Sequence, residues 1–318
     1  MYPKRVTLYE VGPRDGLQNE TARLSIAAKV RLIEALVEAG LQRIELGSFV
    51  RPDWIPQLAD TDAVARDLAP ALSPTLRSHP ALRLSALVPN LRGLERAIAA
   101  GLREVAVFMS SSETHNQKNT NKSIAQSLAH FGEIVPRARE AGVTVRAYLS
   151  TVWGCPYEGR IDPQRSLGIA RDLRALGCSE VSISDTIGVG NPKQTREILE
   201  LFLRDFRTTE LALHLHDTNG TALANCLVAL ELGFATFDTS VGGMGGCPYA
   251  PGAAGNLATE DLASMLQDMG IETGIALPKL FAAGRLAQEL VGRKLPGRRL
   301  QAALGREQGG DAREAGST

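Results

Sequence analysis

The segment LSALVPNLRGLERAIAAGLREVAVF (residues 84–108) contains one complete structural unit. A short apolar run, Leu84–Val88, leads into an amphipathic stretch, Leu91–Ala100, that stops at Gly101, and a second apolar run, Glu104–Phe108, starts three residues later. The outer pieces have the length and composition of buried strands, and the middle piece has the period of a helix with one apolar face. Glycine just past a helix accepts the left-handed conformation that closes it, so Gly101 marks an end. The same unit recurs along the chain. Candidate strands lie at Val6–Val11, Arg43–Gly47, Val143–Leu149, Glu180–Ser184, Leu211–Leu215 and Thr236–Ser240, with helical stretches such as Ile26–Ala39 and Pro163–Leu176 and glycine stops at Gly40, Gly142, Gly177 and Gly233. Eight such units predict an α/β fold of the TIM (β/α)8 barrel type rather than a doubly wound sheet, because closure hides every strand edge. A further helical stretch around Pro278–Val291 predicts a short C-terminal helical extension, so that residues 1–295 form one domain. The Gly/Arg/Glu-rich residues 296–318 read as a mobile tail.

Composition narrows the function. The chain has 318 residues, 44% hydrophobic, with 35 basic and 35 acidic side chains. A balanced charge with no basic segment interleaved with aromatics argues against a nucleic-acid surface. No apolar run approaches the roughly 18 residues of a membrane span, and the first strand-like segment starts at Val6, which predicts a cytoplasmic protein without a leader. Cys155, Cys178, Cys226 and Cys247 show no CxxC spacing, so neither a disulfide framework nor a zinc knuckle is expected. Cys178 and Cys226 fall inside regular segments and read as small core residues. The glycine run near residue 242 fits neither GxGxxG nor a P-loop. A homo-oligomer is left open.

In a parallel barrel, chemistry gathers where strands end and loops begin. Those junctions are rich in polar groups here: Glu10, Arg14, Asp15, Gln18 and Asn19 after the first strand, Glu45 and Ser48 on the second, and Tyr148 and Ser150 on the fifth. Ser182, Ser184 and Asp185 follow on the sixth, His214 and His216 on the seventh, and Asp238 and Ser240 on the eighth. Strand residues two apart share a face, so His214 and His216 point together toward the barrel interior. They are either paired core histidines or two ligands of one cation. Asp15, brought beside the seventh and eighth strands by closure, and Asn256 would add a carboxylate and an amide oxygen. Two nitrogens and two oxygens without thiolate suit an open Mg2+ or Mn2+ site. Arg14 is either a salt-bridge partner of Asp15 or a clamp for a developing oxyanion. Glu45 and Asp185 are expected to orient Arg14 or the histidines. Cys247 lies in SVGGMGGCPYAPGAAGN (240–256), where Gly242, Gly243, Gly245 and Gly246 predict a supple loop that can close over substrate. Its thiol can act as a nucleophile or as an acid/base group near a carbanion, and a metal with an arginine favours the second.

VTLYEVGPRDGLQNE (6–20), IELGSFVRPDWIPQLAD (44–60), YLSTVWGCPYEGRIDP (148–163), SDTIGVGNP (184–192), LHLHDTNGTALAN (213–225) and SVGGMGGCPYAPGAAGNLATED (240–261) resemble, in order, the motifs of 3-hydroxy-3-methylglutaryl-CoA lyases. The resemblance covers nearly the whole chain. It implies a TIM barrel with Mg2+ or Mn2+ on Asp15, His214, His216 and Asn256, and an acyl-CoA substrate. Arg14 would polarise the thioester carbonyl, Cys247 would be the catalytic thiol, Glu45 and Asp185 would support the site, and Gln18 and Ser182 would touch substrate. The implied reaction cleaves the C2–C3 bond of a tertiary 3-hydroxyacyl-CoA, with His214 shuttling the hydroxyl proton and Cys247 protonating the enolate of acetyl-CoA; the parent substrate would also give acetoacetate. Relatives often carry lysine where this chain has Thr21, and the loop NQKNTNKS (116–123) is divergent, so the acyl group is left open; Lys118 and Lys122 are candidate contacts for CoA phosphates. A Claisen synthase or aldolase of a related barrel is the rival enzyme. The synthases carry a large C-terminal region, and a Schiff-base aldolase needs a lysine at a strand end, which none of the seven lysines provides. The pathway stays open between leucine degradation, ketone-body chemistry and branched-terpenoid catabolism.

Overall fold

The repeated apolar runs do pair edge to edge. A computed structural model describes residues 1–51, 53–69, 74–245 and 255–315. The strands are β1 (Thr7–Glu10), β2 (Arg43–Ser48), β3 (Arg83–Leu87), β4 (Glu104–Ser110), β5 (Thr144–Ser150), β6 (Glu180–Asp185), β7 (Leu211–Leu215) and β8 (Thr236–Thr239). They hydrogen-bond in chain order as a closed barrel, with β8 parallel to β1. The helices around it are α1 (Ile26–Glu38), α2 (Thr61–Asp67), α3 (Leu91–Ala99), α4 (Ile124–Glu140), α5 (Pro163–Leu176), α6 (Pro192–Phe202), α7 (Ala222–Glu231) and α8 (Thr259–Asp268). Asp162 caps α5 by accepting from the Gln164 amide, and Gly177 ends it with a φ of 107°. The apolar core lies between strands and helices and includes Cys178 and Cys226, as their positions in the sequence suggested. No helix among the described residues is long and apolar enough to cross a membrane.

Inside the barrel the side chains are unusually polar. The β7–β8 register sets His214 opposite Asp238, and the β1–β2 register sets Tyr9 opposite Arg43. Arg43 bonds Glu104 and Glu180 at 3.0 Å each, and Arg146 bonds Glu180 and Asp238 at 2.5 Å each. The Tyr9 ring lies 4.6 Å from the Arg43 guanidinium carbon and 4.2 Å from that of Arg146. Such stacking and pairing lets charge stand in a dry interior, where an unpaired guanidinium would be very costly.

Past the barrel come α9 (Leu277–Val291) and α10 (Arg298–Ala315). The stretch expected as a tail begins with residues that pack on the barrel. Leu295 and Leu300 are fully buried, the Gly297 amide donates to the Gly242 carbonyl at 2.8 Å, and a Cβ on Gly242 would stand 2.4 Å from Leu295. Two well-placed leucines dock the segment on the turn after β8. That turn is braced elsewhere too: the Gly242 amide donates to Glu260 at 2.7 Å, and the Val241 amide to Glu10 at 2.9 Å. Its described glycines, Gly242, Gly243 and Gly245, are buried with positive φ. These three glycines serve close packing.

Glu260 opens α8 with one carboxylate oxygen on the Gly242 amide and the other buried without a partner. Burial pushes its pKa up from an ordinary 4.5 to about 8, with the Gly242 amide only partly offsetting this. The folded state keeps a proton that the unfolded chain loses near pH 4.5, so the stability this group contributes is full below that pH and falls as pH rises toward 8. Glu10, raised to about 7, titrates in the same window and is common to both proteins compared. Glu260→Gln should therefore show a smaller fall in melting temperature between pH 5 and pH 9 than the parent. Equal slopes would show that Glu260 is not the buried acid described.

Candidate active site

β1 ends in a π-helical turn, Gly12–Gly16, with Pro13 at its start. The turn carries Arg14 and Asp15 into the mouth of the barrel. Arg14 Nε donates to Glu45 Oε2 at 2.5 Å, its Nη1 donates to Asp15, and its guanidinium carbon lies 5.0 Å from the Tyr148 ring centre. The Tyr148 hydroxyl donates to the same Glu45 oxygen at 3.0 Å. Burial alone would weaken the guanidinium, but the Glu45 and Asp15 carboxylates outweigh it and hold its pKa well above the ordinary value. The expected support of Arg14 by Glu45 is thus a direct ion pair.

His214 is the penultimate residue of β7 and His216 lies just beyond the strand, in bridge contact with Asn256. Their ring centres are 5.2 Å apart, and His214 Nε2 stands 3.9 Å from Asp15 Oδ2. One donor atom from each of Asp15, His214 and His216 lies within 4.8 Å of the others. Ligands about 2.1 Å from an ion sit roughly 3 to 4.2 Å apart in octahedral geometry, so small side-chain shifts close the set. The Asn256 amide nitrogen reaches Asp15 Oδ2 at 2.9 Å, which brings the fourth expected ligand to the same point. His216 Nδ1 is buried without a hydrogen-bond partner. Burial, reinforced by His214, pulls the His216 pKa down to about 3 against the opposing pull of Asp15, leaving a neutral ring with a free lone pair. Burial would push Asp15 up, but Arg14 and the two histidines hold it well below the usual carboxylate range. A neutral imidazole and an ionised carboxylate are the forms that bind metal. The donor set fits a divalent cation with positions left for substrate.

A cavity of about 400 Å³ opens over this cluster, with Arg14, Asp15, Tyr148, His214 and His216 at its polar end. Gln18 and Ser48 line it, as do Ser150 and Ser184, and the Ser48 hydroxyl is buried without a protein partner. Leu87, Phe108, Phe131 and Trp54 form an apolar wall, with Arg51 and Lys122 also on the lining. Lys118 is not on that lining; its ammonium stacks 4.2 Å from the Tyr157 ring centre.

Two expected site residues are placed otherwise. Ser182 is not among the cavity-lining side chains; it is fully buried and its hydroxyl donates to Asp238 at 2.9 Å. Asp185 turns its carboxylate to the loop after β6, accepting from the amides of Val189 at 3.1 Å and Gly190 at 2.7 Å. Its carbonyl accepts from the His216 amide at 3.2 Å, and its carboxylate interacts electrostatically with His214. Burial raises its pKa to about 6 despite those donors. Cys247 and Gly246 lie outside the described residues. Sequence reasoning gave Asp238 no role, although its Oδ2 stands 3.3 Å from His214 Nδ1. The eighth-strand carboxylate was visible as a polar residue at the barrel mouth, but nothing in its spacing tied it to the histidine.

An eight-stranded parallel barrel that gathers two imidazoles, a carboxylate and an amide at its C-terminal mouth, beside a fixed guanidinium, has the build of a barrel enzyme with a metal site. The HMGL-like family model matches residues 5–287, and the chain belongs to that family. The hydroxymethylglutaryl-CoA lyase of Bacillus subtilis is 48% identical over 94% of this chain and 98% of its own length. A crystal structure of the B. subtilis HMG-CoA lyase superposes with a TM-score of 0.90 over 95% of this chain and 98% of the other. A lyase of Pseudomonas aeruginosa named for both 3-hydroxy-3-isohexenylglutaryl-CoA and hydroxymethylglutaryl-CoA is 45% identical over 95% of this chain and 98% of its own. An HMG-CoA lyase from Acinetobacter baumannii, solved with coenzyme A and 3-methylmalate, is 37% identical with a TM-score of 0.87, covering 94% of this chain and 95% of that one.

The cluster predicts one Mn2+ per chain by calorimetric titration. Loss of a ligand in His216→Ala or Asp15→Asn should weaken binding at least tenfold while the fold, read by circular dichroism, persists. Undiminished affinity in both variants would remove these residues from the metal site.

Proposed function

We propose that the chain is a divalent-metal-dependent carbon–carbon lyase that cleaves 3-hydroxy-3-methylglutaryl-CoA to acetyl-CoA and acetoacetate. The convergence of Arg14, Asp15, His214 and His216 on one cavity, with Asn256 bonded to Asp15, carries the proposal, and relatives at 45–48% identity bearing that lyase name support it. When bound, Mg2+ or Mn2+ would supply Lewis-acid polarisation of substrate oxygens.

The chain's own groups account for the remaining steps. Glu45 and Asp15 occupy Nε and Nη1 of Arg14, and Nη2 has no protein partner among the described residues, so it can donate to the thioester oxygen as charge gathers there. His214 is the candidate shuttle for the tertiary hydroxyl proton, its Nε2 lone pair serving either the cation or that proton at any one time; the C2–C3 bond then breaks, the alcohol carbon becomes the ketone of acetoacetate, and the electron pair passes to the thioester enolate. Cys247 returns a proton to that carbon and releases acetyl-CoA. The free hydroxyl of Ser48 and the amide of Gln18 are placed to bind the acyl portion. Lys122 at the cavity is a contact for the CoA phosphates. The described cysteines are free thiols, which supports a reducing compartment such as the cytoplasm.

A second reading, substrates with a longer branch at C3, is favoured by the apolar wall of Leu87, Phe108, Phe131 and Trp54. Purified enzyme should release acetyl-CoA and acetoacetate from 3-hydroxy-3-methylglutaryl-CoA. EDTA should abolish turnover, and Arg14→Met and Cys247→Ala should each lower kcat at least a hundredfold. Full turnover after chelation or in Cys247→Ala would refute the roles given. A panel of 3-alkyl homologues separates the two readings, since preference for the longer branch replaces the first.

A further inference from the structure

We infer that Asp238, held by Arg146, is a positioning residue that fixes the tautomer and the orientation of His214. This deepens the lyase reading and rests on His214 serving the site. Asp238 lies on β8 with its side chain fully enclosed. Its Oδ1 accepts from Arg146 Nη2 at 2.5 Å, and its Oδ2 accepts from Arg146 Nη1 at 3.1 Å and from Ser182 Oγ at 2.9 Å. The same Oδ2 faces His214 Nδ1 at 3.3 Å. Arg146 is fixed in turn by Glu180 on its Nε at 2.5 Å and by the Tyr9 and Tyr148 rings at 4.2 and 4.7 Å.

A carboxylate paired with an arginine has only acceptor atoms, so Nδ1 of His214 is the nitrogen that carries hydrogen. Nε2 is left with its lone pair on the side of Asp15, 3.9 Å away. That is the nitrogen a cation or a substrate hydroxyl proton must meet. Turned the other way, the ring would present an N–H to both. A carboxylate behind a ligand imidazole is a common way of setting its tautomer and basicity. Here the carboxylate is anchored by an arginine below the site rather than by solvent, so His214 is held from the barrel interior.

Asp238→Asn reverses the pattern. Arg146 donates to both oxygens but more closely to Oδ1, at 2.5 Å against 3.1 Å, so the amide oxygen takes the Oδ1 position and the NH2 turns toward His214 Nδ1, which must then accept and shift its proton to Nε2. The test uses nitrogen-15 spectra of the metal-free protein at pH 8.5, above the ordinary imidazole range, with the His214 signal assigned by its loss in His214→Gln. The parent should show His214 as the Nδ1–H tautomer, and this needs no variant that could misfold. Asp238→Asn should show the Nε2–H tautomer and a Mn2+ affinity lower by about ten- to a hundredfold. Ser182→Ala, which removes one neutral donor to Asp238 and leaves both Arg146 bonds, should keep both parental values. An Nε2–H tautomer in the parent, or parental tautomer and affinity in Asp238→Asn, overturns the inference. If the tautomer and affinity results hold while 3-hydroxy-3-methylglutaryl-CoA is not cleaved, the positioning role stands and the substrate proposal alone fails.

Discussion

Three arginines, Arg43, Arg146 and Arg14, stand one above another in the barrel axis, separated by the rings of Tyr9 and Tyr148. Burying a guanidinium costs several kcal/mol unless its charge and donors are met in place. Each is met by two carboxylates: Arg43 by Glu104 and Glu180, Arg146 by Glu180 and Asp238, Arg14 by Glu45 and Asp15. The carboxylates come from β2, β4, β6 and β8 and from the turn after β1, so the column ties opposite walls of the barrel together. Its upper end is the active site. A side chain there cannot move far without leaving a charge below it unpaired.

This explains how a mouth built of loops can hold catalytic groups at fixed distances. Arg14 is set by Glu45 and Tyr148, which project from strands, and His214 by Asp238, which does too. The loops contribute what must meet the ligand directly: Asp15, His216 and Asn256 at one point, with Gln18 on the cavity lining. The C-terminal segment has a part in this arrangement, because Leu295, Gly297 and Leu300 pack against the turn that follows β8.

The barrel was legible because each unit signals itself locally. Apolar runs of strand length, helical periodicity and a glycine stop need no knowledge of the rest of the chain, and Gly40, Gly101, Gly142, Gly177 and Gly233 all have positive φ. His214 and His216 were legible because strand alternation puts residues two apart on one face, and Asp15 because closure brings β1 beside β8. The interior ion pairs were not legible. Arg146 and Asp238 are 92 positions apart, and each reads alone as a polar residue on a strand. The loop contacts of Asp185 were not legible, because a strand-end carboxylate is as able to cap its own loop as to face a ligand, and sequence does not say which. The docking of Leu295 and Leu300 was not legible either, because the Gly/Arg/Glu-rich composition around them is that of a free tail.

The lyase chemistry proposed here requires a cation at the point where Asp15, His214, His216 and Asn256 meet, within reach of Arg14. Diffraction from crystals grown with Mn2+, recorded at the manganese absorption edge, locates it directly. One anomalous peak bonded to Asp15, both histidines and the Asn256 amide oxygen is predicted. A fully loaded crystal with its only peak elsewhere, and His214 and His216 bonded to protein groups alone, would contradict it.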